Sequence, residues 1–242
     1  PGPPAGHPAG ATGTYSKMSA LVEFLEVSAG TTVASTIAAV EAYSALGRGM
    51  WLKVAGGSKA EVLASALLRR MIRHGEVAIE FGLFVGYTAM RLAYHSRPRG
   101  TDQCRFTTTR PRVVSLELDP IHACIARHVV NLSSLAAAAE SLVGHSKDLL
   151  PALDEMYGES SGGFAFMDQR GTTFHVDLQR VERLRLFTDA ATLTADNTVK
   201  PGAPIFLWHL AHGSTYDPTC WALSEFQSDL IEDYVATARF RR

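Results

Sequence analysis

The chain has 242 residues, of which 46% are apolar, and a formal net charge of -1 from 23 basic and 24 acidic side chains. This length and composition suffice for one domain with a buried core. The balanced charge argues against a nucleic acid or an anionic membrane as the main partner. A small molecule is therefore the expected partner.

The sequence has neither the cysteine spacing of a disulfide framework or zinc site nor the apolar run of a membrane span. Cys104, Cys124 and Cys220 lie far apart and show no C-x-x-C spacing, so neither a disulfide framework nor a zinc site is expected. No apolar run approaches the roughly 18 residues of a membrane span, and the first residues lack the order of a signal peptide. These features predict a cytoplasmic protein.

Residues 1–14 are rich in Pro, Gly and Ala and are predicted to be a flexible extension, followed by a single domain over residues 15–242.

Helices and strands alternate along most of the chain. Apolar residues at helical spacing predict two helices between Tyr15 and about Leu46 and a third over Ala60 to His74. From there, short apolar runs alternate with amphipathic stretches, which is the pattern of a parallel sheet covered by helices on both faces. The predicted strands are VAIEF, RVVSLEL, SLVG, GFAFMD and ATLTAD. A doubly wound α/β fold follows, in which ligands bind beyond the carboxyl ends of the strands.

The first two strands end in residues suited to a nucleoside. Gly82 and Gly86 follow the first strand and allow the backbone to approach a ligand. The pattern is not the G-x-G-x-x-G of a dinucleotide site. Glu117, at the end of the second strand, can accept both hydroxyls of an adenosine ribose. The alternative is that the glycines only turn the chain and that Glu117 is a solvated strand end.

Oxygen-bearing side chains end the fourth and fifth strands. Asp168 ends one strand, and Asp196 and Asn197 end the next, before Lys200, Pro201 and a glycine. If these strands are neighbours, the three side chains meet and can bind Mg²⁺. An Asx turn at Asp196 and Asn197 is the alternative. Ser146, after the third strand, is expected to cap a helix.

The motifs together resemble the catechol O-methyltransferase family, which is S-adenosylmethionine- and Mg²⁺-dependent. IEFGLFVGYTAMRLA is similar to the cofactor loop of that family, SLELDP to its ribose-binding segment, VGHSKDLLPAL to its adenine-side turn and LTADNTVKPGAPIFL to its metal and substrate segment. The resemblance runs from about Trp51 to the C-terminus. It implies a Rossmann-like, mostly parallel seven-stranded sheet with extra N-terminal helices.

The resemblance also implies roles for individual residues. The metal ligands would be Asp168, Asp196 and Asn197, and the substrate would contact Trp51, Asn197, Pro201 and Glu225. The cofactor would be bound by Ala55, Glu80, Gly82, Tyr87, Thr88, Glu117, Leu118, Ser146, Asp168, Gln169 and Arg170.

One departure concerns the general base. The family has a Trp-Lys pair two and three positions after its first metal aspartate, and this chain has Arg170 and Gly171 there. Lys53 and Lys200 are the candidates to replace the missing lysine, with a slight preference for Lys200; either could instead bind a substrate carboxylate or be a solvated surface residue.

These observations favour an Mg²⁺-dependent O-methyltransferase that acts on a small catechol-like or vicinal-hydroxyl compound. The expected partner is a small hydroxylated aromatic molecule rather than a nucleic acid or a membrane. Two alternatives remain: a regulatory protein that binds S-adenosylmethionine without catalysis, motivated by Gly171, and a non-methylating enzyme on the same fold.

Overall fold

The computed structural model describes residues 12–96, 111–226 and 228–241. Three helices precede the first strand, and strands and helices then alternate until two consecutive strands close this part of the chain. The helices are α1 (Thr12–Ser28), α2 (Val33–Ala45), α3 (Gly57–Arg69), α4 (Tyr87–His95), α5 (Pro120–Leu132), α6 (Ser146–Tyr157), α7 (Phe174–Arg183) and α8 (Pro204–His212). The strands are β1 (Val77–Phe81), β2 (Val113–Glu117), β3 (Ala139–Val143), β4 (Gly162–Met167), β5 (Phe187–Ala195), β6 (Tyr216–Glu225) and β7 (Ser228–Phe240).

The strands form one seven-stranded sheet in the order β3-β2-β1-β4-β5-β7-β6. The first five strands are parallel to one another. β7 runs antiparallel to β5, and β6 runs antiparallel to β7. The predicted doubly wound, mostly parallel sheet is therefore confirmed, and the carboxyl ends of β1 to β5 meet at one edge.

The central strands are buried on both faces, which explains their continuous apolar sequences. Successive residues of a strand point to opposite faces. Ala78 and Phe164 accordingly pack into the core under α1 to α5, whereas Ile79 and Ala165 pack into the core under α6 to α8. The sheet is thus held between two helical layers.

Several expectations need adjustment. α1 begins at Thr12, so residues 12–14 of the predicted extension are helical, and residues 1–11 and Cys104 lie outside the described residues. The motif-based assignment located neither β6 nor β7 along the chain. β6 is an edge strand with many exposed residues, and such a strand lacks the apolar run by which the central strands are recognised. No helix in the described ranges is long and apolar enough to cross a membrane.

Candidate functional site

A cavity of about 670 Å³ lies beyond the carboxyl ends of β1, β2 and β4. It is lined by most of the residues predicted to bind the cofactor: Gly82, Tyr87, Thr88, Glu117, Leu118, Ser146, Asp168, Gln169 and Arg170. Trp51 and Lys53 also line it. The predicted residues outside its lining are Ala55, Glu80, Asp196, Asn197, Lys200, Pro201 and Glu225. The structure thus brings the cofactor side together more completely than the substrate side.

The floor of the cavity depends on a close contact at Gly82. This residue has a φ of +91°, and a Cβ atom there would lie 2.9 Å from the backbone oxygen of Asp168. Only glycine combines that backbone conformation with that approach. The turn after β1 is therefore pressed against the end of β4, where Asp168 begins the acidic part of the site.

Glu117 holds the turn after β1 in place. Its Oε2 atom accepts hydrogen bonds from the backbone nitrogens of Leu83 at 3.1 Å and Phe84 at 2.8 Å. Its Oε1 atom accepts one from the nitrogen of Asp119 at 2.9 Å. A carboxylate offers about four acceptor positions, so Glu117 retains capacity for a ligand. It is nearly buried, which argues against a solvated strand end.

Glu80 is a buried carboxyl group beneath the cavity. Its side chain is 0% exposed. Burial raises the pKa of Glu80 to about 8, a hydrogen bond from Ser115 opposes this, and the charge of Glu117 adds to it. Among the described residues, no group forms a hydrogen bond with its Oε1 atom. Glu80 therefore keeps one buried acceptor atom without a donor, outside the lining of the cavity.

Asp177, in the first turn of α7, joins the ends of β3 and β4. Its Oδ1 atom accepts hydrogen bonds from Ser146 Oγ at 2.8 Å and Arg180 Nη1 at 2.7 Å, and its Oδ2 atom accepts one from Gln169 Nε2 at 3.2 Å. The sequence analysis missed Asp177, because an acidic residue in the first turn of a helix usually faces solvent. It also misassigned the cap of α6: His145 is the N-cap, and Ser146 instead donates to Asp177.

An aromatic wall forms another side of the cavity. The rings of Trp51 and Phe84 meet edge to face at 6.0 Å, and Phe84 meets His122 in the same way at 5.0 Å. Trp51 also packs against the hydrophobic core. Trp51 therefore contributes both to the wall of the cavity and to the edge of the hydrophobic core.

A buried lysine, Lys59, organises the acidic end of the site. It is 4% exposed and lies in the first turn of α3. Its Nζ atom is 3.2 Å from Asp196 Oδ2 and 3.6 Å from Glu225 Oε2, and it forms a closer ion pair with Asp233. Burial alone would lower the pKa of Lys59, but Asp196, Asp233 and Glu225 raise it above its usual value. The three carboxylates therefore favour the charged form of Lys59.

The three predicted metal ligands lie around this cluster. Burial raises the pKa of Asp168 well above its usual value, and the charge of Asp196 raises it further. Burial also raises the pKa of Asp196 to about 6, against the opposing effect of Lys59. Asn197 adopts a left-handed conformation, with a φ of 53°, and its Nδ2 atom donates to Asp233 Oδ2 at 2.9 Å. Its amide oxygen is therefore the end that can face a cation.

The donor set fits a hard divalent cation in its chemistry. Asp196, Glu225 and Asp233 lie within 4 Å of the Lys59 ammonium group, and the charges of Asp196 and Lys59 both act on Asp168. Two carboxylates and an amide oxygen are ligands that Mg²⁺ accepts. Among the described residues, no three His, Cys, Asp or Glu side chains have the arrangement of a metal site. The predicted ligand set is Asp168, Asp196 and Asn197, which contains two carboxylates and an amide and so is not a group of three such side chains.

The position of the missing base is closed by backbone. A Cβ atom on Gly171 would lie 2.5 Å from the backbone oxygen of Gly202, so the segment after Asn197 fills the space that a side chain at 171 would need. Lys200 is exposed and does not line the cavity, whereas the exposed Lys53 does. The position of Lys200 therefore gives no support to the preference for it as the replacement base.

Comparisons with known proteins find catechol O-methyltransferases among the relatives of this chain. Catechol O-methyltransferase from Bos taurus is 26% identical over 183 residues, which are 76% of this chain and 61% of that protein. Catechol O-methyltransferase from Sus scrofa is 31% identical over 134 residues, which are 55% of this chain and 66% of that protein. The chain thus spans less than two thirds of the length of these relatives. No protein-family model matches it.

A solved structure shows the same fold. The O-methyltransferase TomG from Streptomyces achromogenes, crystallised in complex with SAM, superposes with a TM-score of 0.67 at 20% identity. The match covers 93% of this chain and 96% of that chain. The two chains therefore share one fold.

Proposed function

The chain belongs to the catechol O-methyltransferase family, and on that premise we propose that it transfers a methyl group from S-adenosylmethionine to a hydroxyl of a small catechol-like compound. The observation that carries the proposal is the cavity at the carboxyl ends of the strands, with Glu117 at its edge. The bovine and porcine relatives carry the name of this activity.

The chain's own residues fit the methyl donor in two places. Glu117 accepts three backbone hydrogen bonds and keeps about one acceptor position for a ribose hydroxyl, whose hydrogen bond to the carboxylate would be charge-assisted. Glu80 has an unpartnered buried oxygen that suits the amino group of the methionine portion. When bound, S-adenosylmethionine supplies an electrophilic methyl group on its sulfonium.

Asp168, Asp196 and Asn197 would hold Mg²⁺. The cation would offset the excess of carboxylates and lower the pKa of a substrate hydroxyl. Two of these ligands are also held by other side chains, since Lys59 donates to Asp196 and Asp233 accepts from the Asn197 amide. Such supporting contacts orient metal ligands.

The substrate end is formed by the aromatic wall and Lys53. Trp51 and Phe84 present aromatic edges on which an aromatic ring can pack. Lys53, at the exposed margin of the cavity, is the candidate for a base or for a carboxylate-binding group. Glu225 is paired with Lys59, so a substrate hydroxyl that reaches Glu225 would join an existing ion pair.

A second candidate function is binding of S-adenosylmethionine without methyl transfer. The observation that favours it is the closed position at Gly171, which excludes a lysine side chain there. The two candidates differ in turnover and not in cofactor binding.

The test is methyl transfer to a panel of catechols and vicinal diols, with the acceptor mass measured before and after incubation. We expect a gain of one methyl group in the presence of Mg²⁺, and no gain with EDTA or in Asp196→Ala. Transfer that ignores EDTA would refute the cation site. Binding of S-adenosylhomocysteine without any transfer would favour the second candidate.

The single domain over residues 15–242 and the cytoplasmic location of the protein stay predictions.

A further inference from the structure

The charged residues that line the cavity differ in exposure according to their sign. Glu117 and Asp177 are buried, and both carboxylates accept hydrogen bonds from protein donors with each of their oxygens. Asp168, directly after β4, is partly buried. Among the described lining residues, the exposed side chains with a formal charge are Lys53 and Arg170, and both are basic. The charge that the margin of the cavity presents to an entering ligand is therefore positive.

Both cations lie close along the chain to the substrate end of the site. Arg170 follows Asp168 by two residues, and Lys53 follows Trp51 of the aromatic wall by two residues. Two residues of extended chain span at most about 7 Å, so the backbone of each cation lies within that distance of the site residue before it. An acceptor with its hydroxyls near Asp168 and its ring against Trp51 brings a further substituent towards Lys53 and Arg170.

We propose that Lys53 and Arg170 form a basic margin that selects an acidic acceptor, so that the substrate is a small catechol with a carboxylate on its side chain. The proposal rests on the proposed function, because it takes the acceptor to be catechol-like. A guanidinium matches a carboxylate with two parallel N–H donors, and an ammonium adds a compact second charge. The cavity of about 670 Å³ has to hold the methyl donor as well, which favours a short acidic substituent over a bulky one.

This role of Lys53 differs from that of a base. A general base takes a proton from the hydroxyl of every acceptor, so its loss lowers the turnover of charged and neutral acceptors alike. A carboxylate-binding cation acts on the acceptor that carries the charge, and its loss chiefly raises the Michaelis constant of that acceptor. A cation that binds the methionine carboxylate of the methyl donor would differ again, because its loss would weaken S-adenosylhomocysteine binding and leave the choice of acceptor unchanged.

The experiment is methyl transfer by the full chain to dihydrocaffeate, its primary amide and dopamine, at saturating S-adenosylmethionine with Mg²⁺. These catechols carry a negative, a neutral and a positive side chain, and their saturated linkers separate that charge from the ring hydroxyls. In the wild type we expect kcat/KM for the acid to exceed that for the amide by roughly 10-fold, as for charge-assisted contacts that are partly exposed. Dopamine should be the poorest acceptor. About 1 M salt should reduce the preference, because it screens exposed charges.

Substitutions at the basic margin should change the acid-to-amide ratio. Lys53→Met and Arg170→Met should each lower it by about 3-fold, and Lys53→Glu should move the preference towards dopamine. Lys147→Met, at an exposed position on α6 outside the lining, is the matched control and should keep the wild-type ratio. Circular dichroism checks the fold of each variant, and calorimetry with S-adenosylhomocysteine measures cofactor binding separately.

Equal kcat/KM for acid and amide in the wild type would overturn the inference, and this result needs no variant. Equal losses for acid and amide in Lys53→Met would make Lys53 a base and also overturn it. Weaker S-adenosylhomocysteine binding with an unchanged ratio would assign the cations to the methyl donor, against the inference. If no acceptor gains a methyl group, the proposed function fails as well, whereas transfer without a charge preference refutes only the basic margin.

Discussion

Replacing Lys59 by methionine removes the ammonium group that three carboxylates share. Methionine keeps most of the volume and the apolar contacts of the lysine stem, so the change is mainly one of charge. Asp196 and Asp233 are 4% and 3% exposed, and Glu225 is 13% exposed. None of these carboxylates can regain full hydration without local unfolding. In the Lys59→Met variant, no ammonium group from Lys59 offsets their mutual repulsion.

The expected loss of stability follows from this burial. Removing one partner of a buried ion pair typically costs about 3–5 kcal/mol, and Lys59→Met should fall in this range at pH 7.5. At pH 5 the loss should be smaller, because carboxylates without a cation take up protons more readily. Adding Asp233→Asn to Lys59→Met removes one of the repelling charges and should recover part of the loss.

Urea denaturation followed by circular dichroism measures these differences. Lys17→Met, at an exposed position on α1, is the matched control and should change the unfolding free energy by less than about 0.5 kcal/mol. If Lys59→Met does not fold at pH 7.5, the same comparison is made at pH 5 with the double variant. A loss below about 1 kcal/mol at pH 7.5, or a loss that grows on acidification, would refute the reasoning.

Three further results are expected. Gly171→Lys should not create an efficient base, and Gly171→Ala should lower the unfolding free energy by about 1–3 kcal/mol, because a Cβ atom meets backbone oxygen at 2.5 Å; an unchanged denaturation midpoint in Gly171→Ala would contradict this. Lys53→Met should change the rate–pH profile or the Michaelis constant more than Lys200→Met, since only Lys53 lines the cavity; the reverse order would be contrary evidence. The free protein should lose stability between pH 5 and 8, because burial raises the pKa of Glu80 to about 8 and of Asp196 to about 6. The folded state then binds more protons than the unfolded state, at roughly 1.4 kcal/mol per pH unit for each retained proton, and a denaturation series showing rising stability would oppose it.

The sheet could be predicted because its central strands carry their signal locally. A parallel strand buried on both faces must be apolar throughout, as β1 and β4 are. The polar residues after β4 and β5 then mark one edge of the sheet, which is why Asp168 and Asp196 could be placed together. β6 has no such signal, since its side chains are mostly exposed or partly buried at the sheet edge.

The burial of Lys59 and Asp177, which the sequence did not reveal, depends on contacts between distant parts of the chain. Lys59 reads as a surface lysine near the start of a helix, and its burial follows only when β5, β6 and β7 bring their carboxylates to it. Asp177 is comparable, because its partners come from the ends of two other strands. The absence of a lysine at Gly171 was visible in the sequence, but the nearby backbone oxygen of Gly202 was not.

Calorimetry with S-adenosylhomocysteine tests most directly whether the cavity beyond the strands binds S-adenosylmethionine through Glu117. Loss of charge-assisted hydrogen bonds in Glu117→Gln should weaken binding by roughly 10- to 100-fold. Glu61→Gln, at an exposed position on α3, should bind as the wild type does. Circular dichroism should show an intact fold in both variants. Unchanged affinity in Glu117→Gln would remove Glu117 from the site and contradict the account.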